Sequence, residues 1–196
     1  MKVVGSVIAR LGSKRLPFKN ILPFNGVPLV RLGILKLLEC DSVDEVVLST
    51  ESELIARQVD DLKVHILKRP DDLAGDEVPS IPVFQHIVNR FPCDVHVNYN
   101  INFPRCEKGV IDRAVQLAAK NSLGESLSVP FAAWAQTSSC LANYEDPWNI
   151  TAEQFEDSGV REPDVHTLED LISAHQIGET GYSNWSSQTW QTNFKK

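Results

Sequence analysis

Val3-Val4-Gly5-Ser6-Val7-Ile8-Ala9-Arg10-Leu11-Gly12-Ser13-Lys14-Arg15-Leu16-Pro17-Phe18-Lys19-Asn20 decides how the rest of the chain is read. Val3 to Ala9 is apolar, rich in β-branched residues and short enough to be one buried strand. Beyond the turn residues, the apolar periodicity from Pro28 to Glu39 predicts a helix. Between strand and helix lies a loop with Gly12 and Ser13, the cations Arg10, Lys14, Arg15 and Lys19, and a closing Asn20. Backbone N–H groups freed by glycine point at phosphates, and Arg or Lys heads neutralise them. Such a loop is a cradle for a polyanion. The alternative is an exposed basic turn.

Charge segregation favours the cradle. Met1 to Leu38 holds Lys2, Arg10, Lys14, Arg15, Lys19, Arg31 and Lys36 and no Asp or Glu, while the whole 196-residue chain carries −7. Positive potential is therefore concentrated around one loop in an otherwise acidic protein. That suits one compact anion such as a nucleoside triphosphate and excludes general nucleic-acid affinity, which needs an extended basic face. An idle cluster of like charges also repels itself, which argues for a ligand.

Further along, Val46-Val47-Leu48 reads as a second buried strand, Ser52 as the N-cap of a helix through Val59, and Val64 to Leu67 as a third strand. The β-α-β-α-β alternation implies a single α/β domain, a three-layer sandwich around a mostly parallel sheet. Ligands of such sheets sit beyond the carboxyl ends of the strands, where the basic loop also lies. Next come Arg69-Pro70-Asp71-Asp72-Leu73-Ala74-Gly75-Asp76, Ser80 as a candidate N-cap, and a helical stretch from Ile81 to Phe91. Asp94 to Asn98 is a fourth strand, and Tyr99 to Arg105 leaves its carboxyl end. Glu107 to Lys120 has apolar residues at 110, 111, 114, 115 and 118, one helical stripe. Ser126 to Phe131 is a candidate fifth strand, and Thr167 with Asp170 three residues later opens a last helix. From Gly178 on, polar residues dominate, so the domain is expected over 1–177 and a surface-draped or partly disordered polar tail over 178–196.

The run from Ala9 to Asn20 resembles the amino-terminal signature of the sugar-acid cytidylyltransferases, the CMP-sialic acid and CMP-3-deoxy-manno-octulosonate synthetases. Arg69 to Asp76 with Ser80 resembles their second signature, and Asp164-Val165-His166-Thr167-Leu168-Glu169-Asp170-Leu171 resembles their carboxyl-terminal Asp-x-Asp motif. The resemblance implies a Rossmann-like nucleotidyltransferase fold and an enzyme that attacks the α-phosphate of CTP with a hydroxyl of a 2-keto sugar acid, releasing pyrophosphate. Carried over by position, it puts Arg10 and Lys14 at the triphosphate and Lys19 near the α-phosphate as the catalytic cations. Ala9, Leu11, Gly12, Ser13, Arg15, Asn20, Arg69 and Ser80 would bind the nucleotide, and Asn100 and Asn102 the acceptor. Asp164 and His166 would be what remains of a Mg²⁺ site, with Mn²⁺ the second choice because His166 adds a nitrogen ligand.

The chain departs from the pattern in three places. Asn102 stands where the family has a metal-binding Asp, His166 where it has a second one, and Ala132 to Arg161 replaces the longer insertion through which the sialic acid enzymes dimerise. A homodimer therefore stays open. Two other readings remain: a catalytically degenerate relative that binds nucleotide without turnover, and a sugar-1-phosphate nucleotidyltransferase. No Walker loop and no Gly-x-Gly-x-x-Gly occur.

Hydrophobic content of 42% and charged content of 23% are ordinary for a globular protein. Cys40, Cys93, Cys106 and Cys140 lie far apart and read as buried reduced thiols, with neither disulfides nor zinc. With no signal-peptide pattern and no apolar run near the roughly 18 residues of a membrane span, a cytoplasmic protein without a membrane partner is expected.

Overall fold

The computed structural model describes residues 1–178; from residue 179 on, the expected polar tail lies outside the described residues. Nine strands and six α-helices follow in the order β1 (Val3–Ile8), β2 (Pro23–Phe24), β3 (Val27–Pro28), α1 (Leu29–Leu38), β4 (Glu45–Thr50), α2 (Glu53–Ala56), β5 (His65–Lys68), α3 (Ser80–Arg90), β6 (Val95–Tyr99), α4 (Lys108–Lys120), β7 (Glu125–Val129), β8 (Ala133–Thr137), α5 (Ser138–Ala142), β9 (Glu153–Glu156) and α6 (Leu168–Gly178). Seven strands form one sheet in the order β5-β4-β1-β6-β8-β7-β9, while β2 and β3 make a small hairpin. Within the seven-stranded sheet, β8 runs against its neighbours β6 and β7 and the other pairings are parallel.

Alternation along β1 sets the layers. Val3 and Val7 belong to the large core with Ile34 and Leu37 of α1 and Ile111 and Val115 of α4. Val4 packs on the opposite face with Val47 and with Val83 and Ile87 of α3. The stripe on α4 is buried as its spacing predicts, through Val110, Ile111, Ala114, Val115 and Ala118. The class expected from the sequence, a single α/β domain with a mostly parallel sheet, is the one found.

Three local expectations are corrected. The helix after Ser52 ends at Ala56 rather than Val59, although Ser52 Oγ does accept from the Ile55 N–H. Past Arg57 the ladder tightens to three-residue spacing, with the Gln58 N–H on Ile55 O and the Val59 N–H on Ala56 O, and Arg31 donates to the Gln58 carbonyl at 2.9 Å and to both Asp61 oxygens. Ser80 is not the N-cap of α3, because Pro79 holds that position and Ser80 is the first helical residue. Residues 132–161 hold two sheet strands, β8 and β9, where none was expected. Ala133-Trp134-Ala135-Gln136-Thr137 carries a weak strand signal, with Trp134 and Thr137 its strand-favouring residues. Its alanines fit the large core, and Trp134 meets Phe84 edge-on at 5.4 Å on the other face. All four cysteines are free, with Cys40 and Cys106 buried and Cys93 and Cys140 half-buried.

Beneath the sheet's centre His96 is fully buried between Ser6 Oγ at 2.9 Å and Gln136 Oε1 at 3.3 Å. Burial pushes its pKa down from 6.5 to about 4, against the opposing Gln136 hydrogen bond. The folded state thus prefers the neutral ring, so stability is complete above pH 6.5 and declines as pH falls toward about 4. The decline should reach about 1.4 kcal/mol per pH unit in that window. Melting curves of wild type and His96→Gln across pH 7 to 4 should converge as the pH falls. Parallel curves would remove His96 as the acid-sensitive group.

Candidate functional site

Beyond the carboxyl ends of β1, β4 and β6 lies a cleft of about 450 Å³. Five cations reach it: Arg10, Lys14, Arg15 and Lys19 from the loop after β1, and Arg69 from the segment after β5. Ser13, Asn20, Ser80, Asn100, Asn102 and His166 also line it. Residues far apart in the chain therefore meet here because parallel strands deliver their following loops to one side.

The loop after β1 is held from within. Glu51 Oε1 accepts the Leu11 N–H at 2.7 Å, Asn20 Nδ2 donates to the Arg10 carbonyl at 2.8 Å, and the Ser13 N–H donates to Leu11 O at 3.0 Å. The Ala9 N–H donates to Ser49 O. Ala9, Leu11 and Gly12 do not line the cleft. The expectation that freed backbone N–H groups form the cradle is thus corrected for Ala9, Leu11 and Ser13, whose N–H groups are already occupied; the loop faces the cleft mainly with side chains. Phe18 takes a left-handed conformation, φ 58°, which sends its own ring outward and turns Lys19 and Asn20 inward.

Lys19 Nζ donates to Asn102 Oδ1 at 2.6 Å and to the Val165 carbonyl at 3.1 Å, tying the first loop to two distant segments. Burial lowers its pKa to about 8, the Asp164 charge opposing and the Arg15 and Arg10 charges adding to the effect. The Asn100 side chain braces its own loop, donating to Phe131 O at 2.9 Å and accepting from the Asn102 N–H at 3.2 Å. Gly33 in α1 makes room for this loop, since a Cβ there would lie 2.3 Å from Ile101 Cγ2. Lys36, also on α1, anchors the loop's far side through Tyr99 Oη, Pro104 O and Cys106 O.

Asp164 is outside the cleft lining itself and stands behind His166, which does line it. Arg15 Nη2 donates to His166 Nδ1 at 2.5 Å, so the ring accepts there and its Nε2–H faces Asp164 Oδ2 at 2.9 Å. Thr167 and Asp170 close the expected capping box, with Asp170 Oδ2 accepting the Thr167 N–H at 2.8 Å and Thr167 Oγ1 accepting the Asp170 N–H at 3.2 Å. Asp164 Oδ1 is buried without a hydrogen-bond partner. Arg69 is buried at the cleft wall, donating to Ser49 Oγ and to Ser49 O, and burial lowers its pKa to about 10.

Some of the site was not assigned from sequence. Asp76 pairs with both Arg10 and Lys14, the latter at 2.7 Å, so these two cations share one carboxylate and the cleft keeps an excess of positive charge. Glu51 shapes the loop, and the Val165 carbonyl receives Lys19. Asp76 closes the quoted Arg-Pro motif and was visible as its final acid; nothing in the sequence marks a backbone carbonyl. Among the described residues, no three His, Cys, Asp or Glu side chains are placed to share a metal ion.

An open, mostly parallel sheet with a cationic cleft at its carboxyl edge defines a nucleotidyltransferase-fold protein. The family model described as Cytidylyltransferase matches residues 4–154, and the chain belongs to that family. Its solved relatives in fold include a CMP:2-keto-3-deoxy-manno-octonic acid synthetase complexed with CTP, with a TM-score of 0.78 and 16% identity over 92% of this chain and 99% of that one. Among curated proteins, it is 28% identical over 119 residues to a 3-deoxy-manno-octulosonate cytidylyltransferase of Bdellovibrio bacteriovorus, covering 60% of this chain and 46% of the relative. It is 47% identical over 55 residues to a pseudaminic acid cytidylyltransferase of Campylobacter jejuni, covering 28% of this chain and 24% of the relative. The matched stretches span less than half of either relative. No helix among the described residues is long and apolar enough to cross a membrane.

Proposed function

We propose that the cleft binds CTP and transfers CMP to a hydroxyl of a sugar acid, with release of pyrophosphate. The observation that carries this reading is the convergence of Arg10, Lys14, Arg15, Lys19 and Arg69 on one cleft beside Asn102. The acceptor oxygen forms a bond to the α-phosphorus as the bond to the pyrophosphate oxygen breaks, and the hydroxyl proton leaves to water. The protein's share is positioning and charge neutralisation. Arg10, Lys14 and Arg15 hold the phosphates, Arg69 and Ser80 the nucleoside, and Lys19 the charge developing near the α-phosphate. Asn102 lies at the end of the Lys19 ammonium and fits the acceptor side.

A divalent cation fits in a reduced form. Asp164 offers one buried, unpartnered carboxylate oxygen, and Asn102 a neutral carbonyl oxygen nearby on the other side of Lys19. Mg²⁺ usually retains several waters and takes one or two carboxylates plus substrate phosphates, so Asp164 would suffice for weak binding. The cation would supply charge neutralisation on the phosphates. The His166 and Asn102 substitutions favour a second reading, a nucleotide binder without turnover.

CTP at 100 times its Kd should stabilise the protein by about 2.7 kcal/mol, and ATP, GTP and UTP far less. Thermal shifts with each nucleotide measure this, and equal shifts from all four would reduce the site to a generic triphosphate cradle. Pyrophosphate release with a panel of 2-keto sugar acids then separates enzyme from binder.

A further inference from the structure

Among the side chains that line the cleft, Asp76 is the single carboxylate against five cations. It sits where the charge is densest, with one oxygen on the Arg10 guanidinium and the other on Lys14 Nζ at 2.7 Å. Its side chain is 25% exposed, so water and solute reach the pair. Carboxylate and phosphate oxygens compete for the same guanidinium and ammonium donors. A fixed acid in a site for a polyanion opposes that ligand unless it moves aside.

We propose that Asp76 is a displaceable counter-ion that holds the polyphosphate position on Arg10 and Lys14 and exchanges with the β- and γ-phosphates. This rests on the reading of the cleft as a CTP site. The segment that carries Asp76 suits the exchange. Residues 74–79 lie between the short 3₁₀ turn Asp71–Leu73 and α3, outside regular structure, and are tied by the Val78 N–H to Gly75 O at 3.4 Å. Four residues after Asp76 comes Ser80, the first residue of α3 and itself in the cleft lining. Movement of Asp76 is thereby linked to the wall that Ser80 presents. A ligand with one phosphate leaves the Asp76 pairs intact, whereas pyrophosphate and triphosphates must break them. Asp76 therefore weakens polyphosphate binding and returns to Arg10 and Lys14 as pyrophosphate leaves.

Titration calorimetry of wild type, Asp76→Asn and Asp76→Ser with CTP, inorganic tripolyphosphate, pyrophosphate and CMP tests this. Loss of two partly exposed ion pairs should tighten CTP, tripolyphosphate and pyrophosphate by roughly three- to tenfold, with CMP unchanged. Weaker or unchanged CTP binding in either folded variant would make Asp76 a scaffold for Arg10 and overturn the exchange. Equal tightening of CMP would overturn it as well, by placing the carboxylate at the α-phosphate. Wild type that binds neither CTP nor tripolyphosphate would overturn the nucleotide reading and this inference with it. Wild type that binds both, with no gain in the variants, overturns this inference alone.

Discussion

Asp164→Ala should abolish CMP transfer while leaving CTP binding within a few-fold of wild type. At the motif positions where the resemblance implies a pair of aspartates, this chain has Asp164 and His166, and Lys19 joins Asn102 to Val165 between them. Removing the remaining carboxylate takes away the last negatively charged oxygen a hard cation prefers. In the proposed site, nucleotide affinity would rest instead on Arg10, Lys14, Arg15 and Arg69, which the substitution does not touch. The complementary variant is His166→Asp, which supplies a second carboxylate and should lower the Mg²⁺ concentration needed for half-maximal turnover. Wild type is expected to need millimolar Mg²⁺; the preference for Mn²⁺ expected from a His166 nitrogen ligand is corrected, because Arg15 occupies Nδ1 and the protonated Nε2 faces Asp164. Metal titrations of the initial rate of pyrophosphate release check both variants. Turnover that survives Asp164→Ala would place the cation elsewhere. Absence of turnover in wild type and in His166→Asp, with CTP bound, would establish the non-catalytic binder.

Lys19→Met should lower kcat by about 100- to 1,000-fold, the usual effect of removing one preorganised charge partner of a transition state. Met matches the length of the alkyl stem but cannot donate. Asn102 Oδ1 and Val165 O would then lose the ammonium that now joins them at 2.6 and 3.1 Å. Leaving such partly buried acceptors unpaired costs about 1–3 kcal/mol, so the melting temperature should fall as well. The kinetic split separates the two effects: a purely structural brace would change kcat and CTP affinity together, whereas a charge acting near the α-phosphate changes kcat far more. A kcat within tenfold of wild type, measured below the variant's melting temperature, would leave Lys19 a structural tie only.

The second effect of these substitutions bears on how the site is assembled. Lys19 lies 83 residues from Asn102 and 146 from Val165, and Arg15 lies 151 from His166. The amino-terminal loop is thus closed against the carboxyl-terminal motif by the Lys19 and Arg15 side chains, which reach the Val165 carbonyl and the His166 ring. Asp164, Val165 and His166 lead directly into α6, which is docked further along by His175, whose Nε2 accepts the Asn25 N–H and whose ring meets Phe24 at 4.7 Å.

Local chemistry made much of this legible without coordinates. β1 and α4 follow from unbroken apolar runs and a 3.6-residue stripe, signals that depend on neighbours a few residues away. The Thr167 and Asp170 capping box is equally local, and the alternation of strands and helices fixed a parallel sheet whose carboxyl edge must hold the basic loop. Composition alone located the positive charge in the first 38 residues. Tertiary structure decided what those charges meet. β8 is a strand because α4 covers its alanines and Phe84 meets Trp134, its own strand signal being weak. Helix α2 stops short as its ladder tightens, with the Gln58 and Val59 N–H groups donating three residues back to Ile55 O and Ala56 O. Leu11 and Ser13 look like phosphate donors in sequence, yet Glu51 and the loop itself claim their N–H groups. Asp76 reads as one acid among many until the fold sets it on Arg10 and Lys14, because an ion pair depends on distance in space and the sequence records distance only along the chain.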